Sequence, residues 1–192
     1  KVPIFALLNQ LNSINSVDAW RGSMTVWTNP HNIFQHQDSC FEGINAAISI
    51  DHPDPSMLAQ TIGNIFRESI HPILLPEKIM TRYFAVLSSH EPRKHHSFFG
   101  MDAWLNSIAQ IDAPYALSMS EQYITCAIEV GSIIFDHENN LTQLLTRLFY
   151  EAEEIEGIDQ GKMLERVIAL QDLMLSLGID GINQWLQKIE GR

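Results

Sequence analysis

Cysteine is scarce in this chain. Cys40 and Cys126 are the two present, 86 positions apart and in no Cys-x-x-Cys unit. That excludes a disulfide-dense scaffold and a zinc ribbon alike, and makes a reducing, cytoplasmic compartment the expectation. Basic residues are few as well: 12 Lys and Arg stand against 23 Asp and Glu, for a formal charge of −11. Such a field repels phosphate backbones, from which nucleic-acid binders draw most of their non-specific affinity, and it disfavours anionic membrane surfaces for the same reason. No apolar run approaches the ~20 residues that a transmembrane helix needs. The stretch from Ile70 to Leu75 is short and interrupted by His71 and Pro72. The stretch from Val2 to Leu8 is too short for a signal-peptide core and is followed at once by Asn9 and Gln10. A soluble chain without membrane insertion is expected. No segment alternates apolar and polar residues long enough to demand a strand.

What is present suits a folded domain. The chain has 192 residues, 45% of them apolar and 18% charged, so it can bury enough surface to fold without a metal or disulfide staple. One all-helical domain over residues 1–192 is the expectation. The first residue is Lys1, read as the start of a piece excised from a longer chain, with a processed start as the alternative.

Apolar residues recur at helical spacing throughout. Ile4, Leu7, Leu8 and Leu11 fit the i, i+3, i+4, i+7 template, and Val17, Trp20, Met24 and Trp27 nearly do so behind Ser16 as N-cap. A loop containing Asn29, Pro30 and His31 is expected next. Ser39 three before Glu42 is a capping box, which predicts a helix start there, with Phe41, Ile44, Ala47 and Ile48 on one face. Asp54 and Pro55 read as N-cap and first helical residue of a helix burying Leu58, Ile62, Phe66 and Ile70 and stopping near His71. Pro76 opens a helix with the stripe Ile79, Met80, Tyr83, Phe84 and Leu87, and polar residues 88–97 end it.

In the second half, Met101, Trp104, Leu105, Ile108 and Ile111 predict a short helix. Ser118 with Glu121 reads as a second capping box, opening a helix with Ile124, Ala127, Ile128, Gly131 and Phe135 inside. Leu141, Leu144, Leu145, Leu148, Ala152 and Ile155 make a full stripe. Met163, Val167, Leu170, Met174 and Leu177 follow behind Asp159 as N-cap, with Gly178 as the C′ residue. Ile182, Trp185, Leu186 and Ile189 predict a terminal helix. The sum is an all-α fold of about ten amphipathic helices. Helix starts near Ser120, Asn139, Asp159 and Asp180 are 19, 20 and 21 residues apart, which resembles the roughly 40-residue period of HEAT or armadillo-type units. No repeated residue signature aligns across units, so an irregular bundle or array is the main expectation, with a HEAT-like α-solenoid in the C-terminal half as the alternative.

Catalytic constellations fail one by one. His90, His95 and His96 fall within seven residues, but adjacent imidazoles do not converge easily on one ion, and Arg93 and Lys94 put positive charge where a metal would sit. An inter-helix loop is expected there, with contact to an acidic or phosphorylated partner as the alternative. Glu68 and His71 make one Glu-x-x-His pair on a helix, whereas a di-iron bundle needs two such motifs and two further glutamates. A polar pair at a helix end is the simpler expectation. Asp136, His137 and Glu138 read as a solvated turn. Residues 157–162 lack the spacing, the Ser or Thr and the preceding strand of a phosphate-binding loop. No Gly-x-Ser-x-Gly occurs, and no Cys has an activating His nearby. Cys126 is expected in the core and Cys40 nearer the surface. Neither catalytic residues, metal nor cofactor is expected.

Charge distribution carries what remains. Residues 118–192 hold thirteen acids against five bases, and residues 1–117 ten against seven. Glu151 and Glu154 share a helical face, with Glu153 and Glu156 alongside and Asp159 at the turn, forming an acidic ridge. A solvated face is the plain reading of such a ridge; the functional reading is a docking edge for a basic protein partner. Trp20, Trp27, Trp104 and Trp185 all fall on helical stripes and are expected in the core first and as contact anchors second. The expected function is a protein-protein interaction module, adaptor or regulatory, of a larger intracellular protein. The alternatives are a helical enzyme or small-molecule binder with an inter-helix pocket near Glu68, His71 or the His90, His95, His96 segment, and a self-association domain.

Overall fold

The computed structural model describes residues 7, 10, 16–49, 55–68, 71–88, 98, 100–132, 134, 136–154, 158–179, 181 and 182. Among these the fold is all-helical: eight α-helices and one 3-10 turn form, and no strand does. They are α1 Val17–Trp27, α2 Pro30–Ile48, α3 Pro55–Phe66, α4 Glu77–Ser88, α5 Met101–Ile108, α6 Ala113–Glu129, α7 Asn140–Glu154 and α8 Ile158–Ser176, with the 3-10 turn at His137–Asn139. The stripes around Ile4 and Trp185, which complete the expected count of about ten, lie almost wholly outside the described residues. The chain divides into two compact units, Lys1–Phe99 and Gly100–Arg192.

In the first unit, Ser16 Oγ accepts the Ala19 N–H and starts α1 as expected. Trp20, Met24 and Trp27 are buried, while Val17 is exposed. Asn29 does not lie in a long loop. Its side chain accepts the N–H groups of His31 and Asn32, Pro30 occupies the first turn, and α2 therefore begins nine residues before the capping box at Ser39 and Glu42. The break expected near Ser39 survives as a kink at His36, where φ −143° and ψ 45° interrupt the helix. Beyond the kink Cys40, Gly43, Ile44, Ala47 and Ile48 are buried, with Phe41 half-buried. Burial of Cys40 corrects the expectation of a thiol near the surface.

α1 packs on α2 and α3, and α2 packs on α3 and α4. The closest approach is at Gly43, where a Cβ would stand 2.3 Å from Trp27 Cε2. Only a bare Cα lets the indole lie flat on α2. Trp20 Nε1 donates to the Ala47 carbonyl one turn further along, while Trp27 Nε1 and Ser23 Oγ are buried with no hydrogen-bond partner among the described residues. α3 ends at Phe66, earlier than expected. After it, residues 72–76 form no regular element and bury Ile73 and Leu75. Phe66 meets Tyr83 of α4 edge-on at 5.8 Å. Arg82 of α4 donates to Asn45 Oδ1 of α2 at 3.1 Å and also to Ser49 Oγ.

In the second unit, Asp112 accepts the Tyr115 N–H at 2.9 Å, Pro114 sits in the first turn, and α6 begins at Ala113. The capping box at Ser118 and Glu121 is thus interior to a helix, overridden by a stronger start upstream. Ile124 and Ala127 face inward as expected, but Ile128 is exposed, and Gly131 is the left-handed residue that ends the helix, at φ +62°. The Ser132 N–H returns to the Ala127 carbonyl there, and Ile179 does the same to Met174 beyond Gly178. Both are Schellman closures, the second in the place expected. Ile111 lies past the end of α5 and is 61% exposed.

Leu141, Leu144, Leu145, Leu148 and Ala152 of α7 and Met163, Val167, Leu170 and Met174 of α8 are buried as their spacing predicted. Asp159 is in the first turn of α8, which starts one residue earlier. Helices α6, α7 and α8 start 27 and 18 residues apart, so the first interval departs from the expected near-20 spacing and the second stays close to it. α5 packs on α6 and α7, and α8 on α6 and α7.

Substituting Gly43→Ala forces the Trp27 ring off α2. Overpacking of this kind costs about 1–3 kcal/mol or more. Urea unfolding followed by tryptophan emission should show the loss, whereas Gly22→Ala, which meets no atom within 4 Å, should leave the midpoint unchanged or raise it.

Candidate functional site

The two units differ sharply in charge. Lys1–Phe99 holds eight acids against seven bases; Gly100–Arg192 holds fifteen against five, and so carries ten of the eleven net negative charges. Every described base of the second unit is already engaged. Arg166 forms a two-pronged pair with Glu121, Nε to Oε1 at 2.9 Å and Nη2 to Oε2 at 2.7 Å, which holds its guanidinium more firmly charged. Lys162 reaches Asp159 at 3.3 Å, and Arg147 Nη1 reaches the Asn106 carbonyl at 3.5 Å. The acids exceed them. Glu129, Glu151, Glu153, Glu154, Glu165 and Asp172 are exposed.

Glu151, Glu153 and Glu154 close the C-terminal end of α7, and no ion pair holds them among the described residues. Acids at a helix C-terminus face the negative end of the macrodipole, so this placement does not favour helix stability. The Glu153 carbonyl accepts from Gln160 Nε2 at 3.1 Å, which ties the end of α7 to the start of α8. Glu156 lies outside the described residues.

A second polar concentration lies inside this unit, between α5 and α7. Asp102, 5% exposed, accepts from Asn140 Nδ2 at 3.1 Å; Asn106, 8% exposed and one turn on, donates to Gln143 Oε1 at 3.2 Å. These rungs climb both helices together. Asn106 Oδ1 is buried without a hydrogen-bond partner among the described residues. Tyr123 of α6 borders the group: burial, then the Asp102 and Asp136 carboxylates, push its phenol far above the ordinary tyrosine range. Sequence reading missed this seam because the i, i+4 spacing of Asp102 and Asn106 lies beside the Met101, Trp104, Leu105, Ile108 stripe, where a polar pair reads as solvated.

Asp136 is more than a solvated turn. Its Oδ1 accepts the Leu141 N–H at 2.7 Å, and its Oδ2 accepts the Thr142 N–H at 3.3 Å and hydroxyl at 2.7 Å, so it caps α7. The chain gets there through two left-handed residues, Glu138 at φ +53° and Asn139 at φ +59°. Gly181 approaches the same turn: a Cβ on it would stand 2.9 Å from Thr142 Oγ1.

Glu68 and His71 do not share a helical face, since α3 has ended at Phe66. Glu68 Oε1 accepts the His71 N–H at 3.4 Å instead, and the exposed His71 ring meets Phe34 edge-on at 6.1 Å. His90, His95 and His96 lie outside the described residues, as does Trp185. Trp20, Trp27 and Trp104 are core residues, and Cys40 and Cys126 are buried and form no disulfide. Among the described residues no group of three His, Cys, Asp or Glu gathers as a metal site, and no helix is long and apolar enough to cross a membrane. No family model, curated protein or solved structure matches the chain.

Two outcomes follow. Asp136→Ala removes the cap of α7 and should lower unfolding free energy by about 0.5–2 kcal/mol in urea titrations. Burial pushes the Cys40 thiol up to about 11, so the nucleophilic thiolate is suppressed until that pH. Disulfide reagents at pH 8 should label Cys40 in the native chain far more slowly than in denaturant; fast native labelling contradicts this burial.

Proposed function

We propose that this chain is an all-helical interaction module that docks a basic protein partner on its acidic C-terminal unit, with Glu151, Glu153, Glu154 and Glu156 as the contact ridge. The observation that carries this reading is the charge partition: ten of eleven net negative charges fall in one of two units, whose described bases are already engaged. Exposed acids at the end of α7 keep their solvation and their long-range field, which steers a cationic surface and speeds encounter more than it deepens affinity. A soluble face needs no such concentration in one unit. The same field disfavours nucleic acid. Neither Cys40 nor Cys126 forms a disulfide, which suits a reducing cytoplasmic compartment. The helices are best read as an irregular array, since their starts keep no common period.

The test is charge reversal. Glu151→Lys with Glu154→Lys should slow association with a partner captured on the immobilised chain by several-fold at low salt. The difference should fade as added salt shortens the screening length towards about 3 Å at 1 M. An association rate that is unchanged at low salt removes the ridge from the contact.

A further inference from the structure

α8 carries more apolar surface than its neighbours cover. Its inner stripe, Met163, Val167, Leu170 and Met174, is buried against α6 and α7, the helices it packs on among the described residues. A second apolar set, Leu164, Ile168 and Leu175, falls at i, i+4 and i+11 and so shares another face. That face is only partly covered: Leu164 and Leu175 are half-buried and Ile168 is 49% exposed. Arg166 fixes its direction. The guanidinium is held by Glu121 of α6, and Ile168, two residues on, stands about 200° further around the axis, away from α6. A helix that is apolar on more than one side is ordinarily buried on more than one.

Gly161 begins the same face, three residues before Leu164. It is exposed, and a Cβ built on it meets nothing within 4 Å, so no packing among the described residues requires it to be bare. Glycine weakens a helix interior relative to alanine; what it permits is close approach of a second backbone. Charge borders the face on one edge. Asp172 and Glu165 are exposed there, while the two bases of α8 are engaged, Lys162 by Asp159 and Arg166 by Glu121. Gln160 ties the first turn of α8 to the Glu153 carbonyl, so the face starts beside the acidic end of α7.

We propose that the outer face of α8, formed by Gly161, Leu164, Ile168 and Leu175, receives a basic amphipathic helix of a protein partner. The apolar stripe of that helix covers Ile168, and its Lys and Arg side chains meet Glu165, Asp172 and the glutamates that end α7. This rests on the docking reading of the acidic unit and names its partner. An amphipathic helix laid on an apolar face is anchored at i, i+3, i+4 and i+7 positions, the spacing that Gly161, Leu164, Ile168 and Leu175 offer in return. The bordering acids select a basic helix over an acidic one, because like charges brought together across an interface cost affinity. For the same reason they disfavour a second copy of this chain, whose matching face carries the same acids.

The probe is a fluorescein-labelled synthetic helix of about 18 residues, which at 1.5 Å per residue spans the distance from Gly161 to Leu175. It carries leucines at i, i+3, i+4 and i+7 with lysines on both sides, and its twin carries glutamate for lysine. Fluorescence anisotropy against the full chain should show saturable binding of the basic helix, one per chain, and binding of the twin at least about tenfold weaker. Ile168→Ser should weaken the basic helix about tenfold, the loss expected for one apolar anchor. That loss should persist at about 1 M salt, where the effect of Glu151→Lys with Glu154→Lys has faded. Gly161→Leu should weaken binding several-fold without lowering the Tm, since its side chain enters open space and leucine favours the helix. Absence of saturable binding, equal binding of the twin, or full affinity in either the Ile168→Ser or the Gly161→Leu variant overturns the proposal. If both keep full affinity while the ridge variant binds more slowly, the acidic edge stands and the α8 face alone falls. A doubling of mass with concentration that Ile168→Ser abolishes puts a second copy on this face and overturns the proposal as well.

Discussion

Each helix of this protein depends on a neighbour to cover its apolar stripe. The helices run from the 8 residues of α5 to the 19 of α2 and α8, and isolated helices below ~12–15 residues are marginal in water. Tertiary burial must therefore supply what local propensity does not. In the first unit that burial concentrates at the α1–α2 contact, where two tryptophans of one helix lie on small residues of the other: Trp27 on Gly43, and Trp20 bonded to the Ala47 carbonyl. The large-on-small pairing lets the backbones approach, and Arg82 then ties α4 to the same helix. The chain gives up hydrogen bonds there, since Trp27 Nε1 and Ser23 Oγ are unsatisfied among the described residues. Close packing of the indole outweighs them.

The second unit meets the same constraint with more polar material. α5, α6, α7 and α8 cover one another's stripes; Asp112 caps the start of α6, and the left-handed Gly131 and the Asp136 cap shape the turn from α6 to α7. Buried polar side chains run along the α5–α7 seam, in the same unit that carries nearly all the net charge. A carboxylate such as Asp102 inside that field is held at greater cost than it would be in the nearly neutral first unit. The exposed glutamates at the end of α7 are the opposite case: fully hydrated, they cost little and project the field outward.

Several sequence signals proved local in their truth. Ser39 with Glu42 and Ser118 with Glu121 have the composition of helix starts, yet both sit inside longer helices, because Asn29 with Pro30 and Asp112 with Pro114 provide starts upstream. A capping box satisfies orphan N–H groups only where a helix begins; within a helix those groups already have carbonyl partners. Glu68 and His71 show the converse, for a pair with helical spacing falls after its helix has ended. The start expected near Ser120 moves to Ala113 and lengthens the first interval to 27 residues, while most of the described stripe residues are buried, with Val17, Ile111 and Ile128 exposed.

Periodicity alone determined that the chain is helical and which residues form most of its core, because burial of an amphipathic stripe is a property of three- and four-residue spacing. Composition alone determined that the charge is negative. Tertiary structure decided where helices begin, that Gly43 must lack a side chain, that Asp136 caps α7, and that Asp102 and Asn106 are buried together. Those outcomes depend on which residues distant in sequence come within a few ångströms, and only packing between helices brings them there.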